Sequence, residues 1–316
     1  MMLLSEEYIE QVFFFESFIE SIEDGVPTQE FLSSIRGELL ATAQLYKAVD
    51  FMLTDAKYTG VLANSMQRLN HYFSPFQTFV IAESEREDGH LDFKIALQIL
   101  AREAKYRSKI HSTQGVFFYQ FEALCRNRLG YVHGLNMLIE DDFYNSDWKK
   151  WLTILRRQIG FVSLADMIFY RSKYYKIYQT NHKHHKIKNT KNNLWTTKSQ
   201  NSCQDDNNNQ NDNTSDDFDS FDFLEGKENN ADDVVVLFGE REGRIAFATR
   251  AKEPAYLFSA LSRHLGYPSV PRKKNIVEEE NITPVLKRRI EQLENRLQLL
   301  EEEQRNGIDL NKYMKR

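Results

Sequence analysis

Cysteine is nearly missing from this chain, with two residues, Cys125 and Cys203, among 316. So few, at that spacing, exclude a disulfide framework and a zinc site, and point to a reducing compartment, the cytoplasm. Long apolar runs are missing as well. The stretch 12–15 is far shorter than the ~20 residues that span a bilayer, and charges interrupt every longer window. The N-terminus lacks the basic residues and small-residue cleavage site of a signal peptide. Charge of one sign does not dominate either: a net −5 implies no bulk attraction to nucleic acid or to an anionic membrane. There is no nucleophile elbow, no phosphate-binding glycine loop and no HExxH. Neither a catalytic residue, a cofactor nor a metal is therefore expected.

What the chain does have is a polar tract over 180–233. It opens with His182, Lys183, His184, His185, Lys186, Lys188 and Lys191, then turns to asparagine and acid through 205–212. Such a segment buries too little apolar surface to offset the entropy of ordering it, so disorder is expected. On either side the chain is dense in Phe, Tyr, Leu and Ile. Its apolar share, 41 %, is slightly low for a globular chain because of this tract and the charged C-terminus.

Over 1–160 the apolar residues recur at helical spacing. Ser5 reads as an N-cap before Tyr8, Val12, Phe15, Ile19 and Ile22. Gly25 and Pro27 stop that helix, and Thr28 opens the next, which Gly37 bends or breaks. Further helices follow from about 60 to 72, from Ser74-Pro75, over 90–107, from Thr113 to a closing Gly130, over 135–139, and from Ser146 to Gly160. Short connections favour an antiparallel helical array, and no self-similar period suggests a solenoid.

After 160 the pattern changes to a small α+β unit over 161–268, with 180–233 as its disordered insertion. Residues 168–178 are rich in β-branched and aromatic types and fit a strand, although helical spacing fits too. The apolar run 234–238, the glycine-flanked loop 239–243 and the alternating 244–250 read as a β-hairpin. A lone hairpin is marginal, so 168–178 is the natural third strand and the helix opened by Glu253-Pro254 the cover. The expected fold is thus mainly α, with a two- or three-stranded antiparallel sheet. A linker over 269–282 then leads to an amphipathic coiled-coil helix over 283–305. There Leu286, Ile290, Leu293, Leu297 and Leu300 form a heptad seam, suited to a homodimer or to packing within the chain.

Five groups of residues are candidates for function. In the acidic stretch 216–225, Phe218, Phe221, Phe223 and Leu224 are spaced as in segments that order on docking into a basic-rimmed apolar groove, while the plain alternative is a passive spacer. The heptad seam is the second. Basic residues Arg241 and Arg244 at the hairpin tip, with Arg263, Arg272, Lys273 and Lys274 behind, offer a nucleic-acid surface, against which stand the flanking Glu240 and Glu242. Tyr119, Glu122, Arg126 and His133 would make an acid–base site if they converged, or a surface ion pair with a terminal histidine if not. His182, His184 and His185 supply metal-ligand chemistry but no fixed geometry.

Residues 237–246, Leu-Phe-Gly-Glu-Arg-Glu-Gly-Arg-Ile-Ala, and 261–268, Leu-Ser-Arg-His-Leu-Gly-Tyr-Pro, resemble conserved uncharacterised bacterial proteins of the kind encoded in planctomycetes. Residues 118–124 and 126–131 give the same resemblance, which covers about 93–268 and implies no activity. The expectation is a non-enzymatic cytoplasmic interaction or scaffold protein with an unidentified protein partner. The alternative is a nucleic-acid-binding protein using 234–250 and the Lys/His-rich arm.

Overall fold

Helix α1 (Ser5–Glu23) buries Tyr8, Phe14, Phe15 and Phe18 on one side and lies along α6 (Phe93–Arg107). The structure, a computed structural model, describes residues 3–86, 91–109, 112–181 and 235–272. Phe18 stacks on Phe31 of α2 (Thr28–Glu38) at 4.4 Å and meets Phe93 edge-on at 5.4 Å. Ser5 is not the cap the sequence suggests. Leu4 holds that position, and the Ser5 hydroxyl donates to the Ser108 carbonyl at 2.7 Å.

Two helices with no side-chain cap of their own are capped from a neighbour. The Glu7 carboxylate accepts from the Gln44 and Leu45 amides at 2.8 and 3.4 Å, at the start of α3 (Gln44–Thr59). Glu85, at the end of α5 (Pro75–Glu85), accepts from Leu62 and Ala63 at 2.7 and 2.9 Å, at the start of α4 (Leu62–Arg68). Each carboxylate satisfies orphan amides at the positive end of a helix dipole. Ser74 and Gln77 form a full capping box on α5, as Ser74-Pro75 suggested.

The core is built around α7 (Thr113–Arg126), in which every residue from Gly115 to Leu124 is buried. A helix hydrophobic on all sides belongs inside a domain. Gly130 does not close α7. Arg128 takes the left-handed conformation (φ 53°), and Gly130 instead precedes α8 (Tyr131–Glu140). Helix α9 (Ser146–Gln158) presents Trp148, Trp151, Leu152 and Leu155 inward, the stripe read from the sequence.

Among the described residues there is no sheet. The region expected to supply strands is α10 (Leu164–Tyr170), α11 (helical over 173–181, to the edge of the described residues), α12 (Glu240–Ala248) and α13 (Pro254–Leu265). The supposed hairpin loop and its second strand are a single helix. Gly239 is its N-cap, Glu240 and Glu242 occupy the favoured acidic first turn, and Arg244 pairs with Glu240 four residues away. Ala246 and Ala248, read as one face of a strand, are strong helix formers. The buried residues Gly243, Ala246 and Thr249 recur every third position, against α10 and α13. Likewise 168–178 is two helices, not a strand. They break at Arg171-Ser172, and Tyr174, Tyr175 and Tyr178 gather on Phe169 at centroid distances of 5.2 to 6.1 Å.

What survives of the expected β structure is one parallel bridge, Ser172 to Phe238. Leu237 and Phe238 donate to the Arg171 carbonyl at 2.9 and 3.1 Å, and Lys173 donates to the Phe238 carbonyl at 3.0 Å. The chain before 182 and the chain after 234 are thereby joined by backbone. Met1–Pro271 forms one compact unit.

Gly243 sits where α12 meets this junction. A Cβ there would lie 2.1 Å from Ser172 Oγ, 2.5 Å from Ser172 Cβ and 2.8 Å from Tyr174 Cβ. Replacing Gly243 by Ala should therefore lower stability by about 1–3 kcal/mol despite alanine's better helix propensity. A urea titration checks this, and a gain in stability would mean that the close approach is not maintained in solution.

Candidate functional site

Helix α6 carries two charged residues on its inward side, Glu103 and Arg107, 1 % and 5 % exposed. Spaced four apart, they pair directly, with Arg107 Nε and Nη2 at 3.1 and 2.9 Å from Glu103 Oε1. Charges this deep cost several kcal/mol each unless neighbours answer them, and here they do. The Gln120 amide of α7 donates to Glu103 Oε1 at 2.6 Å, and the Tyr144 hydroxyl donates to Gln120 Oε1 at 2.6 Å. Asp141, the C-cap of α8, places Oδ2 3.6 Å from Arg107 Nη2, an ionic contact beyond hydrogen-bond length. The guanidinium also lies over the rings of Phe143 and Tyr8, at 4.7 and 6.0 Å.

Burial disfavours the Glu103 charge and raises its pKa, with Arg107 and Gln120 pulling the other way. For Arg107 burial opposes the charge, but Glu103 and Asp141 more than compensate, so its pKa lies above the ordinary value. Tyr119 and Tyr144 are raised well above the phenol range by burial. Glu103 Oε2 and Asp141 Oδ2 accept no hydrogen bond.

A cavity of about 580 Å³ opens over this network. Tyr8, Tyr72, Gln77, Arg107 and Asp141 are its buried floor, and His71, Glu140 and Asp142 stand exposed in its walls. Helices α1, α5, α6 and α8 supply it, with the turn from α4 into α5. The lining carries one guanidinium against the carboxylates of Glu140, Asp141 and Asp142, so its formal balance is negative. At an effective dielectric constant of 20, two charges 4 Å apart interact by about 4 kcal/mol, enough to decide the sign of a ligand.

Sequence reasoning did not single out this site, although a signal was there. Ala96, Leu100, Glu103 and Arg107 recur at steps of four, three and four, so the charges extend the apolar stripe inward. Gln120 sits between Phe117 and Phe121 in a run buried on all sides, where a polar side chain must find a partner.

The acid–base candidates do not converge. The Tyr119 hydroxyl is buried and donates to the Ile99 carbonyl at 2.8 Å, Glu122 pairs with Arg126 at 2.5 Å, and His133 is exposed. Cys125 next to them is a protonated thiol at neutral pH, its pKa pushed up to about 11 by burial. The basic candidates separate as well. Arg241 and Arg244 are on a helix and not at a hairpin tip, with Arg244 held by Glu240 and lying 5.6 Å over the Tyr174 ring. Arg263, in the last turn of α13, bonds Ser259, and Arg272 is exposed. Phe218, Phe221, Phe223, Leu224, Lys273, Lys274, the histidines 182, 184 and 185, Cys203 and the seam Leu286, Ile290, Leu293, Leu297 and Leu300 lie outside the described residues.

No family model, curated protein or solved structure matches this chain. Function is therefore argued from the chain's own chemistry. Among the described residues, no helix is long and apolar enough to cross a membrane, and no group of three or more His, Cys, Asp or Glu side chains is placed to hold a metal ion.

Proposed function

We propose that this chain is a non-enzymatic interaction scaffold of the cytoplasm, engaging a protein partner through the acidic segment that carries Phe218, Phe221, Phe223 and Leu224. The heptad seam over 283–305 is its second contact, suited to self-association. One observation carries the reading: backbone hydrogen bonds tie Arg171 and Lys173 to Leu237 and Phe238. Both ends of 182–234 are thereby pinned to one helical body, and Phe238 is anchored among Phe118, Trp148 and Trp151. A segment returned to its own starting point serves as a tethered contact. Acidic residues keep its phenylalanines solvated until they dock, and the aromatic area supplies the binding free energy.

Replacing 215–226 by a Gly/Ser sequence of equal length tests this. Affinity capture should then lose at least one partner that the unaltered chain retains, with the helical circular dichroism unchanged. Retention of every partner would show that the segment is not the contact.

A further inference from the structure

We propose that the cavity between α1, α5, α6 and α8 binds a primary ammonium group on a short carbon skeleton. Three independent features of the cavity favour a cation over an anion. First, Glu140, Asp141 and Asp142 line it in succession against the single guanidinium of Arg107. That guanidinium is already engaged from below by Glu103 at 2.9 Å, so it has little left for an incoming carboxylate or phosphate.

Second, the acidic run lies at the C-terminal end of α8, where orphan carbonyls and the negative end of the dipole add to the attraction. Third, Asp141 is a lining residue 5 % exposed whose Oδ2 has no hydrogen-bond donor and only a 3.6 Å contact with Arg107. Its acceptor capacity is not used up by the fold. A volume of about 580 Å³ is in the range of small-ligand sites. The rings of Tyr8 and Tyr72, with Leu3 and Met137, offer an apolar wall to the carbon skeleton, and an ammonium near an aromatic face gains further attraction.

The same chemistry comes from a free amine or from a lysine side chain. The full chain is titrated calorimetrically at low ionic strength with 1,5-diaminopentane and with Nα-acetyl-lysine methylamide, and with 1,5-pentanediol and glutarate as uncharged and anionic matches. Both amines, or the diamine alone, should bind, while the diol and glutarate should bind at least about tenfold more weakly. Binding of the diamine alone assigns the site to free amines, and equal binding of the lysine amide assigns it to a lysine side chain.

The double variant Glu140→Gln with Asp142→Asn changes only exposed side chains and should weaken the amine about tenfold or more with the helical signal intact. Equal binding of the diol, tighter binding of glutarate, no amine binding, or amine binding indifferent to the double variant would each overturn the proposal.

Discussion

Replacing Arg107 by methionine should destabilise the fold by about 3–5 kcal/mol, the largest single loss expected among the charged residues described. The side chain's volume is nearly kept, so the loss comes from charge. Glu103 and Asp141, 1 % and 5 % exposed, would lose the cation that answers them. The matching change at Lys150, which is 78 % exposed beside Asp147, should cost less than about 1 kcal/mol, because solvent already screens that pair.

The pH dependence identifies the cause. Glu103 has a raised pKa in the folded state because burial opposes its charge. A raised folded value means that folding favours the protonated form. Its contribution is fully present below the ordinary carboxylate range and is lost as pH rises through the folded value. Removing Arg107 raises that value further, so the variant's deficit should shrink on going from about pH 8 to about pH 5. Adding Glu103→Gln should recover about 1 kcal/mol or more at the higher pH. Urea titrations at both pH values measure this. A deficit that is small, or the same at both, would mean that the network is not closed in solution.

Phe238→Ala should cost about 3–5 kcal/mol. Phe238 is 1 % exposed and lies 5.7 Å from Phe118, 5.4 Å from Trp148 and 5.1 Å from Trp151. Truncation would open a cavity among rings contributed by α7 and α9, far away in sequence, and would loosen the backbone pairing with Arg171 and Lys173. Val235→Ala, at a residue 42 % exposed and three positions earlier, should stay within about 0.5 kcal/mol. Tryptophan fluorescence should report the Phe238 loss, because Trp148 and Trp151 are its direct neighbours. If far-ultraviolet dichroism and tryptophan fluorescence gave separate transitions, with only a minor part of the helix lost with Phe238, the two regions would be folding independently.

The helical array was legible wherever one side of a helix is apolar and the other polar. The stripe Trp148, Trp151, Leu152, Leu155 is buried as its spacing requires, and Ser74-Pro75 opens α5 as its chemistry requires. The strands expected over 168–178 and 234–250 failed for a related reason. Those stretches are short and aromatic or glycine-flanked, so alternation and helical spacing fit them about equally well. Packing resolved the tie. Gly243 lets α12 approach Ser172 and Tyr174, and Tyr174, Tyr175 and Tyr178 turn to one side of α11 to meet Phe169.

The candidate cavity was less legible. Its floor joins Tyr8, Tyr72, Arg107 and Asp141, which no local pattern relates. Only the step pattern into Glu103 and Arg107 hinted that charge was going inward.

Local chemistry by itself determined where most helices of the N-terminal region run and which of their faces are buried, because periodicity and capping are properties of neighbours a few positions apart. Tertiary structure alone decided that Glu7 and Glu85 cap helices other than their own, that 235–238 adds a single bridge and a buried ring in place of a sheet, and that two carboxylates close on Arg107 beneath a cavity. Each of these depends on the desolvation of groups brought together from distant parts of the chain, and desolvation is set by what surrounds a residue once the chain has closed around it.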